Sequence, residues 1–214
     1  MISLQDDVLA ALRGATASRH ALLDRAMPLA RPAPSLDDYR EHLCLLRPWL
    51  AGVASAAARH GDGPQDPRLL PPVDRLAPLD ADLADLPEPA GLTVSKRAGR
   101  ADSADSADLS GLDSIAGLDG SAAWRWGVAY VVEGSQLGGI VLHRRLAASL
   151  APHPLRYLHG DGVPPGPRWQ LFLARLRAEV TTPADIAQAC AGACAAFDAL
   201  IVHLPPQARQ AEAA

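Results

Sequence analysis

A histidine and an aspartate four residues apart, His20 and Asp24, stand in a helical run that also holds Arg13 and Thr16. On a helix the Asp24 carboxylate reaches the imidazole Nδ1, which fixes the tautomer that leaves Nε2 free for a metal, the usual support of a ligating histidine. Arg13 lies two turns earlier, within about 20° of the same line, and puts a cation about 10 Å from His20 along the axis. A planar cofactor carrying carboxylates spans that gap. The helical wheel puts His20 on the buried side, with Thr16, Leu23 and Met27 within about 60° of it. A core histidine satisfied by a backbone carbonyl is the other reading of His20 alone; Asp24 and Arg13 together favour the ligand.

A second stretch, Tyr130-Val-Val-Glu-Gly134-Ser-Gln-Leu-Gly138-Gly139, interrupts the best long helix in the chain. Each glycine costs about 1 kcal/mol against alanine in a helix interior, and no turn is evident here. Tyr130, Gly134 and Gly138 form one stripe at i, i+4 and i+8, with Gly139 beside it. Without Cβ atoms the backbone can touch a flat partner and the helix can bend. Close helix-helix packing through small residues is the competing use of the same pattern.

The elements that must carry these residues read as helices throughout. Apolar spacing from Val8 through Leu23, after a possible cap at Ser3 and Asp6, predicts a helix over 4–27, ended by Pro28. Ser35-Leu-Asp-Asp38 caps a second helix to about residue 59, kinked or divided by Pro48. Short helices are expected at 66–70 and 79–86. The polar, low-complexity stretch over 87–120 cannot offset its ordering entropy by burial and reads as a flexible surface loop, with a helical turn near 112–118. A long helix over 124–150, a turn-rich connector from Tyr157 to Gly166, a helix over 168–180 and a last helix capped at Thr182 follow. No segment alternates with period two, so the expected fold is all-α, a single domain over 1–214.

Composition narrows the function. The chain has 214 residues, 49% hydrophobic, enough for one core, and its net charge of −4 argues against nucleic-acid binding. Three cysteines without a CxxC spacing give neither a disulfide framework nor a structural zinc site. Asp6 and Asp7 stand where a signal peptide needs positive charge, and no uninterrupted apolar run suits a membrane span. A cytoplasmic protein is expected, and the heavy use of Ala, Arg and Pro is that of a GC-rich bacterial genome.

The run Leu12-Arg13-Gly-Ala15-Thr16-Ala-Ser-Arg-His20-Ala-Leu-Leu-Asp24, with the glycine stretch at 130–139, resembles the proximal-histidine and distal-glycine segments of the heme oxygenases, closest to their bacterial biliverdin-producing branch. The connector from Gly160 to Trp169 is similar as well. The likeness covers residues 8–30 and 121–180, and the 87–120 loop looks like an insertion. It implies a helical bundle that holds heme between the first and the long helix, with His20 Nε2 on the iron. Gly134, Gly138 and Gly139 would line the distal side, where backbone and water meet O2, and Tyr130 would anchor ordered water there.

By the same resemblance Arg13 pairs with a heme propionate, Asp24 supports the histidine and Thr16 joins them on the heme face. His143, Arg144 and Arg145 follow the glycines, available to propionates or to an acidic electron donor. Heme would be substrate and cofactor, opened to biliverdin, CO and ferrous iron with O2 and electrons from an external donor such as ferredoxin, a reductase or ascorbate. The biliverdin could pass to a phytochrome. Mammalian-type members carry an aspartate where this chain has Ser135, so the proton route here must use water, Tyr130 or backbone groups. Two alternatives remain at this point: a non-catalytic heme carrier or sensor of the same fold, and a helical protein that binds no heme.

Overall fold

Two reciprocal caps fix where helices begin. Ser35 Oγ accepts from the Asp38 N–H at 3.2 Å while the Asp38 carboxylate accepts from the Ser35 N–H at 2.7 Å, and Thr182 with Asp185 repeats the arrangement. The computed structural model describes residues 4–87, 120–160 and 165–210. It contains α1 (Leu4–Ala26), α2 (Leu36–Ala57), α3 (Leu76–Asp85), α4 (Ala122–Leu146), α5 (Arg156–His159), α6 (Pro165–Glu179), α7 (Pro183–Ile201) and α8 (Pro206–Gln210). Short 3-10 turns lie at Pro28–Ala30 and Gly63–Gln65. No strand occurs among the described residues, so the chain is all-α as expected. Residues 88–119 of the expected loop, its turn at 112–118, and Ser3 of the first expected cap lie outside the described residues.

Local chemistry corrects several boundaries. Pro48 does not divide α2: it and Cys44, whose carbonyl loses its helical donor, are both exposed, so water can take the lost bond. No α-helix forms at 66–70, where Asp66 instead accepts from the Arg68 N–H at 2.9 Å and closes a turn. Helix α3 starts three residues earlier than expected, because Asp74 Oδ1 caps the N–H groups of Leu76 and Ala77 at 2.9 and 3.1 Å. Pro78 then falls in the first turn, where its missing N–H costs nothing. Likewise α6 begins at Pro165 and takes Pro167 in its first turn, and α4 ends at Leu146 rather than near 150.

Helix α7 is the centre of the bundle, packed against both α4 and α1. By length and composition it could cross a membrane, yet Ala189, Ala193 and Ala196 are fully buried among the other helices. Its crossing with α4 is made by glycines: a Cβ on Gly127 would stand 1.8 Å from the Ala189 carbonyl oxygen, and one on Gly192 would stand 2.0 Å from that of Trp124. Trp49 of α2 joins the same centre, its Nε1–H donating to the Ala196 carbonyl at 3.0 Å. Trp126, Phe172, Trp169 and Tyr130 then form a run of ring contacts, with centroids 5.4 to 5.8 Å apart, that ties α4 to α6.

A buried carboxylate pins the connector. Asp82 of α3 is fully buried and accepts from Tyr39 Oη at 2.7 Å, from the Tyr157 N–H at 2.9 Å and from Arg156 Nη1 at 3.1 Å. This holds α5 against α3. His42, buried on α2, has an Nδ1 without a hydrogen-bond partner, and burial pushes its pKa from 6.5 down to about 4. The unfolded chain therefore takes up this proton before the folded one, so stability is full above the unfolded pKa and falls as the pH drops from about 6.5 towards 4. The expected loss is about 1.4 kcal/mol per pH unit and about 3 kcal/mol in all from this group. Urea unfolding at about pH 7 and about pH 4.5 reads it. His42→Leu should flatten that share of the slope, and an unchanged slope would exclude His42 as its source.

Candidate functional site

The buried arc of α1 contains Val8, Leu9, Leu12, Thr16 and Leu23, and it is turned to the core. His20 is not in it. Its side chain is 64% exposed, against the expectation of a buried histidine. The physical reason is angular: His20 lies just past the edge of the buried arc, within about 40° of Arg13 and Asp24, and the three share the flank beside it. There the His20 Nδ1 is 2.8 Å from Asp24 Oδ2, the pairing expected from the i, i+4 spacing. No described residue engages Nε2. Thr16 is buried and donates its hydroxyl to the Leu12 carbonyl at 2.8 Å, so its donor is used within the helix.

Helix α7 holds this flank in register. Arg19 grips Asp198 through both carboxylate oxygens at 2.7 and 3.0 Å, Cys194 Sγ donates to the Ala15 carbonyl at 3.3 Å, and the Phe197 ring stands 6.0 Å from that of His20. Because α4 rests on the same helix, its Tyr130 reaches the exposed flank of α1. The Arg13 guanidinium lies beside the Tyr130 hydroxyl and opposes the upward push that burial gives the phenol pKa. Tyr130 stays a neutral donor at any physiological pH.

The glycine stretch separates into different uses. Gly138 is exposed, with no atom within 4 Å of where a Cβ would stand. At Gly134 a Cβ would meet only the edge of Trp169, at 3.8 Å. Neither packs one helix against another. Gly139 is buried and admits the Leu158 carbonyl oxygen of α5, which would stand 3.4 Å from a Cβ there. So the open surface belongs to Gly138, with Gly134 half-exposed beside the Trp169 edge; Gly139 makes the one close helix approach in this stretch, and the tightest ones are made elsewhere, at Gly127 and Gly192.

Ser135 is exposed and donates its hydroxyl to the Val132 carbonyl at 2.8 Å. Beside it the Gln136 amide reaches Ser135 Oγ at 3.5 Å and Tyr157 Oη at 3.4 Å. At the end of α4, His143 faces His159 of α5 with ring centroids 4.9 Å apart, and burial and the neighbouring imidazole both lower its pKa. Arg145 donates to the Leu29 carbonyl, and Arg144 is exposed.

The structure thus brings His20, Asp24, Arg13 and Tyr130 to one region and leaves Gly138 uncovered, with Gly134 half-exposed beside Trp169. Trp169, Gln136, Tyr157 and Phe197 join them, and sequence reasoning gave none of these a role. Trp169 and Phe197 were legible only as apolar helix faces; the one available signal for Gln136 was an amide lying between two glycine turns. Among the described residues no cluster of three His, Cys, Asp or Glu side chains could hold a bare metal ion. A single imidazole suits a metal that brings its other ligands with it.

The family model for Heme oxygenase matches residues 6–204. A relative named heme oxygenase, from Xanthomonas campestris pv. campestris (strain 8004), is 43% identical over 93 residues, which are 42% of this chain and 54% of that protein. The alignment therefore spans about half the length of the curated relative. No solved structure matches the chain.

Proposed function

The chain belongs to the heme oxygenase family, and on that premise we propose that it cleaves heme oxidatively to biliverdin, CO and ferrous iron, using O2 and electrons from an external donor. The observation that carries this reading is the exposed His20 imidazole, its Nδ1 2.8 Å from Asp24 Oδ2, on the flank it shares with Arg13. A lone, oriented imidazole next to a cation fits a carboxylated macrocycle with its metal inside. The open backbone at Gly134 and Gly138 fits its flat face.

Each residue then has a physical task. His20 Nε2 would hold the iron, with Asp24 fixing its tautomer. Arg13 would pair with a propionate and so help to orient the ring, and Arg144 is available to a second carboxylate or to an acidic electron donor. Gly134 and Gly138 would keep the distal side clear of side chains, so that backbone and water face the ring, while Gly139, buried against the Leu158 carbonyl, lets α5 approach from behind. Bound heme supplies the redox-active iron and the carbon that is oxidised. Ser135, whose hydroxyl is donated to Val132, acts as an acceptor for water rather than as a proton source, and Tyr130 and the Gln136 amide are the nearby donors. The expected setting is a single-domain cytoplasmic enzyme, with ferredoxin, a reductase or ascorbate as donor and, where biliverdin is used as a chromophore, a phytochrome as acceptor.

A second reading rests on that same serine. A carrier or sensor would keep His20 and lack turnover, since no carboxylate stands at position 135. An optical titration with hemin, followed by ascorbate or a ferredoxin system under air with catalase present, separates the two. Loss of the Soret band with growth of a biliverdin spectrum is expected. A persistent Soret band with every donor would favour the carrier, and no saturable hemin binding would sink both. Gly138→Leu, which places a side chain on the open stripe, should lower turnover by about ten-fold or more while the fold stays intact. Unchanged turnover in a well-folded Gly138→Leu variant would remove that stripe from the distal side.

A further inference from the structure

A second recess lies on the other side of α4. Val128 and Val132 stand about 120–160° round the helix from Gly134, and with Leu50 and Val53 of α2 they form the aliphatic wall of a cavity of about 570 Å³. That volume is in the range of small-molecule sites. Its polar end carries three guanidiniums, Arg75, Arg125 and Arg168.

Two of the three are satisfied. Arg125 donates to Gln65 Oε1 at 2.9 Å and to the Gly120 carbonyl at 2.8 Å, and pairs with Asp62 at 2.5 Å. Arg168 donates to both Glu133 oxygens at 2.8 Å and to the Pro71 carbonyl at 2.7 Å. Arg75 differs. Its side chain is 12% exposed, and its Nη2 lies 2.8 Å from Glu133 Oε2 without making a hydrogen bond, on an oxygen Arg168 already occupies. The adjacent Asp74 is exposed, and its Oδ1 is spent on capping α3. Arg75 is thus a buried guanidinium that shares its one carboxylate with Arg168 and whose Nη2 makes no hydrogen bond, an arrangement that burial makes costly.

We propose that this cavity binds a small amphipathic monocarboxylate, its carboxylate paired with Arg75 and its apolar tail lying along Leu50, Val53, Val128 and Val132. The unmet Nη2 donor of Arg75 selects the anion, and the aliphatic wall selects the tail. The site is separate from the one that would take heme, because the two use opposite faces of α4.

The test is a calorimetric titration of the purified protein with decanoate below its micelle concentration, run with hemin-free and hemin-saturated protein. Saturable one-to-one binding that survives hemin is expected. Arg75→Gln should weaken it by about ten-fold, the loss of one charge-assisted pair. That substitution leaves Glu133 with both Arg168 bonds, so the fold should be kept, and equal thermal midpoints check this. Decanol, with the same tail and no charge, should bind more weakly and not respond to Arg75→Gln. Val53→Trp fills the aliphatic wall and should weaken both ligands.

Equal decanoate binding in wild type and Arg75→Gln, or no saturable binding at all, overturns the proposal. So does binding that hemin displaces and Arg13→Ala weakens, which places the acid between α1 and α4. Failure of the protein to bind hemin would leave the result readable, since the signal is the acid's own.

Discussion

Gly127→Ala is expected to cost the fold about 3 kcal/mol or more, whereas Gly138→Ala, the same change eleven residues along the same helix, should be neutral or stabilising by about 0.5–1 kcal/mol. At position 127 the added methyl would stand 1.8 Å from the Ala189 oxygen and 2.7 Å from its carbonyl carbon. Both are backbone atoms of α7, which cannot rotate away as a side chain can. The helices have to separate along the contact that carries Ala189, Ala193 and Trp126, all of them buried. At position 138 no atom lies within 4 Å, so alanine brings only its better helix propensity. A domain of this size has about 5–15 kcal/mol in hand, so the first variant should unfold at markedly lower urea and the second should not. Equal midpoints for the two variants would mean that α4 and α7 do not meet at Gly127.

The second large effect is chemical. In protein loaded with hemin, His20→Ala should abolish the iron–histidine vibration of the ferrous form, and added imidazole should restore an imidazole-ligated spectrum. Asp24→Asn should keep the vibration, shift it, and weaken iron-dependent hemin affinity by about 10–100-fold, the usual effect of losing a carboxylate behind a ligating histidine. The contrast matters because His20 and Asp24 are both on the surface, with side chains 64% and 66% exposed. Removing either should leave the core, and hence the melting temperature, almost untouched. An iron–histidine signature that persists in His20→Ala would move the ligand to another histidine; identical behaviour of the two variants would make Asp24 more than a support.

Much of the local structure was written in short spacings. Ser35 with Asp38 and Thr182 with Asp185 cap helices because each needs a partner only three residues away, and the His20–Asp24 contact follows from helix geometry alone. The glycine stretch also announced itself, as a cost without a local compensation. Its purpose did not. Gly127 and Gly192, which do bring helices together, lie outside that stretch, and only the crossing of α4 with α7 distinguishes them from Gly138, which touches nothing.

The same boundary runs through the candidate site. Sequence alone determined an all-α chain, the order of its long helices, and one flank of α1 carrying Arg13, His20 and Asp24, because a 3.6-residue period fixes which side chains share a side. It could not say which side faced water. The wheel put His20 among Thr16, Leu23 and Met27, while the packing of α7 put Thr16 and Leu23 inside and left His20 beyond the edge. Only the tertiary structure set Arg13 beside Tyr130, the Trp169 edge near Gly134, and Asp82 under the connector. Those contacts join residues tens of positions apart, and their partners are chosen by how helices of particular shape fill one core, which no spacing along a single helix encodes.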